Sequence, residues 1–142
     1  KEYPSDTLIL ENFLISVSKY NSDLALSEML KLYDIHRNYA PLLANLSLIY
    51  IEKNDFIKAK EHMTSAVFID QNNIFYIYNL AVILDKLSDL ENAAILYEKL
   101  INKATHSENV CKQIPIQQVK ARLHLIKAQL LNQNFVAKKK AH

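Results

Sequence analysis

One short pattern of large and small side chains occurs twice in the chain, and every matched position is displaced by the same interval. Each copy has a large apolar residue, a small residue directly after it, then an alanine, and a large residue four positions after the alanine. The positions are Leu46, Ser47, Ala59 and Met63 in the first copy and Leu80, Ala81, Ala93 and Tyr97 in the second. A period of about 34 residues is typical of repeats built from two helices.

The apolar spacing within each copy predicts a helix with one buried face. Leu43, Leu46 and Tyr50 stand at i, i+3 and i+7, which places them on one side of a helix. Ile77, Leu80 and Leu84 repeat that spacing in the second copy. Because the residue after the central leucine is small in both copies, we expect the two helices of a repeat to cross closely there.

The chain contains no glycine, so its tight turns need other residues. Asn54 stands at the predicted turn of the first copy, and asparagine is the non-glycine residue that adopts positive φ most readily. Ser88 is its equivalent in the second copy. Ser88 and Glu91 have the spacing of a capping box, which predicts that Ser88 caps the following helix.

These residues together resemble the tetratricopeptide repeat, whose pattern is Leu followed by a small residue on one helix and alanine before an aromatic on the next. Serine and alanine stand here where that family usually has glycine. The resemblance implies antiparallel helix pairs that stack into a solenoid with a concave groove. The expected fold is all-α, a short right-handed α-solenoid of about three such helix pairs plus a C-terminal capping helix.

The same register organises the rest of the chain into one predicted domain, residues 1–133. Ala25 and Met29 precede Ala59 and Met63 by the same interval, but the helix before them fits the pattern less well. Apolar periodicity stops after Lys103 and resumes at Pro115. The predicted helices are 6–20, 23–35, 40–52, 55–69, 73–87, 89–103 and 115–133. The predicted segments are a degenerate repeat at 6–39, repeats at 40–73 and 74–104, a capping helix at 115–133 and a disordered basic tail at 134–142.

Composition argues against an enzyme. The five histidines are scattered without metal-ligand spacing, and the absence of glycine excludes a phosphate-binding loop. Cys111 is the only cysteine, which favours an ordinary free thiol over a catalytic one. We therefore predict no catalytic residues, no bound metal and no cofactor.

Charge and hydropathy give no support for nucleic acid or for a membrane span. The net charge is +2, and the basic residues of the last helix and tail are interpreted as a solvated surface. No stretch of about eighteen apolar residues exists, so this chain is not expected to insert into a membrane.

The lone cysteine slightly favours the cytoplasm, although a periplasmic domain of a longer anchored protein would look the same. The sequence begins with Lys, consistent with a trimmed chain or a domain of a longer protein, and heavy use of Asn, Lys and Ile suggests a bacterial source.

The resemblance implies that the first helix of each repeat lines the groove. Asn45 and Asn79 hold matched positions there, and an asparagine side chain offers both a donor and an acceptor to an extended peptide backbone. A local hydrogen bond of each asparagine is the alternative. The predicted peptide-binding residues are Asn45, Asn79, Leu48, Ile51, Phe75, Tyr78 and Val82. The family's clamp for acidic C-terminal tails is not expected, because Ala44, Leu48 and Phe75 stand where basic residues would be needed.

The expected function is that of a non-catalytic scaffold or adaptor that binds an extended, mainly apolar segment of a partner protein in its groove. Two alternatives remain. The chain could be a secretion or assembly chaperone that holds a partner protein, or a self-assembling structural module in which one copy binds another.

Overall fold

The computed structural model describes residues 21–141, which form seven helices and no strand. The helix predicted at 6–20, and with it the first half of the degenerate repeat, lies outside the described residues. The helices are α1 (Ser22–Ile35), α2 (Ala40–Glu52), α3 (Phe56–Ile69), α4 (Ile74–Lys86), α5 (Leu90–Thr105), α6 (Glu108–Gln113) and α7 (Ile116–Lys140). The all-α class predicted from the sequence is confirmed.

The chain divides into two compact units, residues 1–72 and residues 73–142. Helices α1 to α3 belong to the first unit, and α4 to α7 belong to the second. Each unit thus contains one of the two copies of the sequence pattern. The single domain predicted over residues 1–133 stays a prediction.

In the first unit, α2 and α3 pack where the small residues stand. Ser47 and Ala59 are both fully buried, and the Ser47 hydroxyl donates a hydrogen bond to the Ala59 carbonyl oxygen at 2.7 Å. That bond joins the two helices and satisfies the one polar side chain in the described core. The close crossing predicted from the small residues is confirmed, and serine adds a bond that glycine could not form.

Helix α1 completes the first unit by packing on α2. Its buried residues Ala25 and Met29 form one cluster with Leu42, Leu46 and Ile49. Asn21 caps the helix, because its side-chain oxygen accepts hydrogen bonds from the backbone amides of Asp23 and Leu24. The in-phase position of Ala25 and Met29 therefore corresponds to real core positions.

The second unit repeats this arrangement with α4 and α5, and adds α7. Ala81 and Ala93 are fully buried, as their counterparts are in the first unit. Helix α7 packs against α5 through a face that buries four apolar side chains. Those side chains are Ile116, Val119, Leu123 and Ile126.

Both helix-to-helix turns close in the same way without glycine. Asn54 and Ser88 have φ of 58° and 61°. The next residue, Asp55 or Asp89, donates its backbone amide to a carbonyl five residues earlier, the geometry of a Schellman motif. The predicted capping role of Ser88 is wrong, because the side chain of Asp89 caps α5 and Ser88 occupies the left-handed position before it.

We expect Ser88→Gly to raise the free energy of unfolding by about 0.5–1 kcal/mol, because glycine adopts positive φ without the cost that a Cβ imposes. Chemical denaturation of the purified chain would measure the change. Ser65→Gly, at an exposed position inside α3, is the matched control and should lower the stability by about 0.5 kcal/mol. Equal destabilisation by the two substitutions would contradict a left-handed Ser88.

The C-terminal region differs from the prediction in two places. Residues 108–113, expected to be irregular, form α6, which buries Val110 and is followed by the buried Ile114. Residues 134–140, expected to be a disordered tail, continue α7 as far as Lys140. No glycine or proline interrupts that segment, and lysines in the last turn favour the helix dipole.

Candidate functional site

Helix α2 exposes one narrow stripe on an otherwise buried surface. Pro41, Asn45, Leu48 and Glu52 follow the helical spacing of four, three and four residues, and none of them is buried. Leu48 remains 40% exposed although it is a large apolar residue. The predicted residue Ile51 lies at the edge of this stripe and is half-buried. The first unit therefore presents an amide between two apolar side chains.

Asn45 already makes a local hydrogen bond. Its side-chain nitrogen donates to the backbone carbonyl of Pro41 at 2.8 Å. This is the local bond that the sequence left open as an alternative. The bond holds the amide in one orientation, and the side-chain oxygen can still accept a hydrogen bond from a ligand.

Helix α4 carries the matching stripe one repeat later. Phe75, Asn79, Val82 and Lys86 correspond to the four stripe residues of α2, and again none is buried. Phe75 is 48% exposed, while Asn79 and Val82 are half-buried. The structure thus brings three predicted residues together on each unit, and each stripe places one asparagine between two apolar residues.

Tyr78 is set apart from the stripe of α4. It stands at the register of Ala44, which is buried in the first unit, and Tyr78 itself is half-buried. Its phenol lies close enough to Tyr97 to contribute to the raised pKa of that residue. The tyrosine predicted as a groove residue therefore lies near a polar cluster that contains Tyr97.

A polar cluster that sequence reasoning missed connects α4, α5 and α7. Arg122 donates two hydrogen bonds to Asp85, from Nε to Oδ2 and from Nη2 to Oδ1, both at 2.7 Å. The Tyr97 hydroxyl donates to Asp85 Oδ2 at 3.3 Å. The interpretation of Arg122 as part of a solvated surface is wrong. Asp85 occupies the position in the second repeat that Ile51 occupies in the first. A carboxylate where the other repeat has an apolar residue was the sequence signal that could have indicated the cluster.

The cluster is held in its charged form by its own geometry. The hydrogen bonds from Arg122 lower the pKa of the Asp85 carboxyl, with burial acting in the opposite direction. Burial first, and then Asp85, raises the pKa of the Tyr97 hydroxyl, which therefore remains a donor at neutral pH. This arrangement fastens α7 to the α4–α5 pair.

A second titratable group lies in the first unit. The His62 ring stacks on Tyr50, with centroids 5.5 Å apart, and meets the edge of Tyr33 at 5.4 Å. Burial is the main cause of the lowered pKa of His62. The ring joins α1, α2 and α3 as a neutral aromatic group, which is a packing role.

Two cavities lie away from the stripes. One of about 480 Å³ opens between α5, α6 and the start of α7, and Cys111 lines it. The Cys111 thiol donates to the Ala104 carbonyl at 3.4 Å. Another of about 470 Å³ lies between α1 and α3 near Tyr33 and Phe68. None of the predicted peptide-binding residues lines either cavity.

No group of three His, Cys, Asp or Glu side chains in residues 21–141 could hold a metal ion. Within the same part of the chain, every helix is too short or too polar to cross a membrane.

A family model for the tetratricopeptide repeat matches residues 40–73 and 76–102. The chain carries two tetratricopeptide repeats. They coincide with the α2–α3 and α4–α5 pairs, so the resemblance inferred from the residue pattern is confirmed. No curated protein sequence matches the chain.

Solved structures share the fold at low sequence identity. PcrH in complex with the chaperone binding region of PopD has a TM-score of 0.67 and 17% identity, over 91% of this chain and 97% of the other. The Type III secretion translocator chaperone SycD of Yersinia enterocolitica has a TM-score of 0.68 and 17% identity, over 90% and 88%. These likenesses show the fold alone, and the tetratricopeptide repeat is a protein-interaction fold.

Proposed function

We propose that this tetratricopeptide repeat protein is a non-catalytic scaffold or adaptor, and that the stripes of α2 and α4 bind an extended, mainly apolar segment of a partner protein. The observation that carries the proposal is the exposure of one large apolar side chain on each stripe, Leu48 on α2 and Phe75 on α4. Large apolar side chains that remain exposed on otherwise buried helices are typical of binding surfaces.

The chemistry of the stripes suits an extended peptide better than a small molecule. Each stripe offers apolar area beside one asparagine, and an amide can bond a peptide backbone whatever its side chains are. The matched positions also include Glu52 and Lys86, so the two stripes differ in charge. A basic clamp for a carboxylate tail is missing from both stripes.

A peptide-display selection against the purified chain tests the proposal. The parent should enrich extended apolar peptides, and Leu48→Ala with Phe75→Ala should weaken their binding at least tenfold, because truncating two anchor residues costs roughly 1 kcal/mol or more each. The control is Ile57→Ala with Ile95→Ala, which removes two exposed isoleucines from the second helices of the repeats. Circular dichroism would establish that both variants are folded.

The result that overturns the proposal is equal enrichment by the stripe variant and the control variant, or no enrichment by the parent. Asn45→Ala with Asn79→Ala separates the role of the amides. If they bind the peptide backbone, affinity should fall by a similar factor for all selected peptides. Unchanged binding would leave Asn45 with its local hydrogen bond to Pro41 alone.

A chaperone function is the second candidate, because SycD is named a translocator chaperone and PcrH is bound to the chaperone binding region of PopD. In that case the bound segment would belong to a protein that is unstable without this chain. Co-expression distinguishes the two functions. A partner that is insoluble alone and soluble in a stoichiometric complex favours a chaperone, whereas a partner that is soluble by itself favours an adaptor.

A further inference from the structure

Helix α7 has two apolar faces, and only one of them is covered. Its first half packs on α5 through the face that contains Val119, Leu123 and Ile126. At about 100° per residue, a second set of apolar residues falls within an arc of about 140° on nearly the opposite side of the helix. That set, here called the outer stripe, consists of Leu125, Ala128, Leu131, Phe135 and Val136.

The outer stripe is exposed, and the helix that carries it extends past its support. Leu131 is 70% exposed and Phe135 is 60% exposed. From residue 131 to residue 140 every side chain of α7 is exposed, and the docked face becomes polar at Gln133 and Asn134. A helical segment of about ten residues is only marginally stable in water without a surface to pack on. We therefore expect the second half of α7 to pack on a surface other than α5.

The charge of α7 restricts what that contact can be. The helix contains six Lys or Arg and no Asp or Glu. Because the whole chain has a formal charge of +2, the residues outside α7 carry −4. Pairing of α7 with α7 of a second copy would place like charges together. Four of the acidic residues elsewhere already form ion pairs with lysines of their own unit; they are Asp23, Glu28, Asp55 and Glu108.

The distribution of the lysines favours a planar anionic surface over one partner helix. Lys138, Lys139 and Lys140 are consecutive, so their side chains leave the helix at steps of about 100°. A single partner helix can face only part of that arc, whereas lipid headgroups can accept all three side chains, because lysines extend along the interface. The Lys139 ammonium lies 4.8 Å from the Phe135 ring centroid, at the end of the outer stripe.

We propose that the second half of α7 binds the surface of an anionic lipid membrane, with the outer stripe at the headgroup boundary and the lysines on the phosphates and carboxylates. An apolar stripe flanked by lysines is the pattern of helices that lie in the membrane interface without crossing the bilayer. The residues outside α7, with their net charge of −4, would be repelled by such a surface. This contact does not depend on the peptide site of α2 and α4.

The absence of tryptophan from the chain allows a direct test. The full-length chain would carry Phe135→Trp in one variant and Asn134→Trp in the other, so that a single fluorophore lies on the outer stripe or on the opposite side. The probes are vesicles of phosphatidylcholine alone and vesicles of phosphatidylcholine with phosphatidylserine. We expect Phe135→Trp emission to shift to shorter wavelength only with the anionic vesicles, and Asn134→Trp emission to stay unchanged. About 1 M salt, where the Debye length is about 3 Å, should reverse the shift.

A flotation assay without the fluorophore completes the test. Joint replacement of Lys138, Lys139 and Lys140 by glutamine should lower the fraction bound to anionic vesicles at least tenfold, since each lysine near such a surface contributes about a factor of five. The proposal is overturned if anionic vesicles cause no shift, if neutral vesicles cause the same shift, or if both tryptophan positions respond alike. It is also overturned if α7 instead mediates self-association, seen as a solution mass that rises with concentration and falls on Phe135→Ala.

Discussion

Ala59→Leu is expected to lower the free energy of unfolding by about 1–3 kcal/mol, because it places a large side chain where α2 and α3 are in contact. Ala59 has no exposed surface, and its carbonyl oxygen accepts the hydrogen bond of the buried Ser47 hydroxyl. A leucine there would separate the helices and stretch that bond. Urea denaturation followed by circular dichroism measures the loss.

Lys60→Leu is the matched control, since it introduces the same side chain at the next, exposed position of α3. It should change the stability by less than about 0.5 kcal/mol. Ala93→Leu, the equivalent substitution in the second repeat, should behave like Ala59→Leu because Ala93 is also fully buried. Equal effects of Ala59→Leu and Lys60→Leu would contradict the close crossing of the helices.

Arg122→Ala is expected to lower the stability of the second unit by about 1–3 kcal/mol, because it leaves the Asp85 carboxylate without its two strongest donors. Asp85 is the more buried partner, with 14% of its side chain exposed against 39% for Arg122. Arg122→Lys should give an intermediate loss, because a lysine cannot reproduce the two parallel hydrogen bonds of the guanidinium. Chemical denaturation at neutral pH provides the comparison.

The effect of Arg122→Ala should depend on pH in a defined direction. Arg122 lowers the pKa of Asp85 in the folded chain, so the pair contributes stability above the unfolded pKa, about 4, and loses it as pH falls through the folded value. The parent and Arg122→Ala should therefore converge in stability as the pH falls below about 4. A gap that persists at lower pH would show that Arg122 acts through packing alone.

Lys127→Ala is the control for Arg122→Ala on the same helix. Lys127 pairs with Glu98 at 2.6 Å, but about half of each side chain is exposed. Solvent screening leaves such a pair worth about 0–1 kcal/mol. If Lys127→Ala and Arg122→Ala cost the same, the polar cluster is not the main attachment of α7.

Helix boundaries and core faces followed from the sequence wherever a repeat supplied two copies of the same signal. Predicted and observed limits of α2 to α5 differ by at most two residues, and Ser47, Ala59, Ala81 and Ala93 are buried as their size indicated. The turns were harder to read. Asn54 indicated positive φ correctly. Ser88 has the spacing of a helix cap, but Asp89 caps the helix and Ser88 has positive φ.

The C-terminal third was predicted least well, because no second copy supports it. Helix α6 is six residues long, too short to show a periodic face. The length of α7 was underestimated because lysines near its end were taken as a sign of disorder.

Of the seven predicted binding residues, the structure places six on or beside the two stripes and Tyr78 next to the polar cluster.

The sequence by itself determined the helix pairs, their constant period and the small residues at which they cross, because these features depend on side chains a few positions apart. Only the tertiary structure decided which charged residues are structural. Asp85 and Arg122 are 37 residues apart, and nothing in their local sequence shows that a turn of α7 brings the guanidinium onto the carboxylate. It also decided how far α7 is covered, since the helix is buried against α5 from Ile116 to Ile126 and every residue from 131 to 140 is exposed.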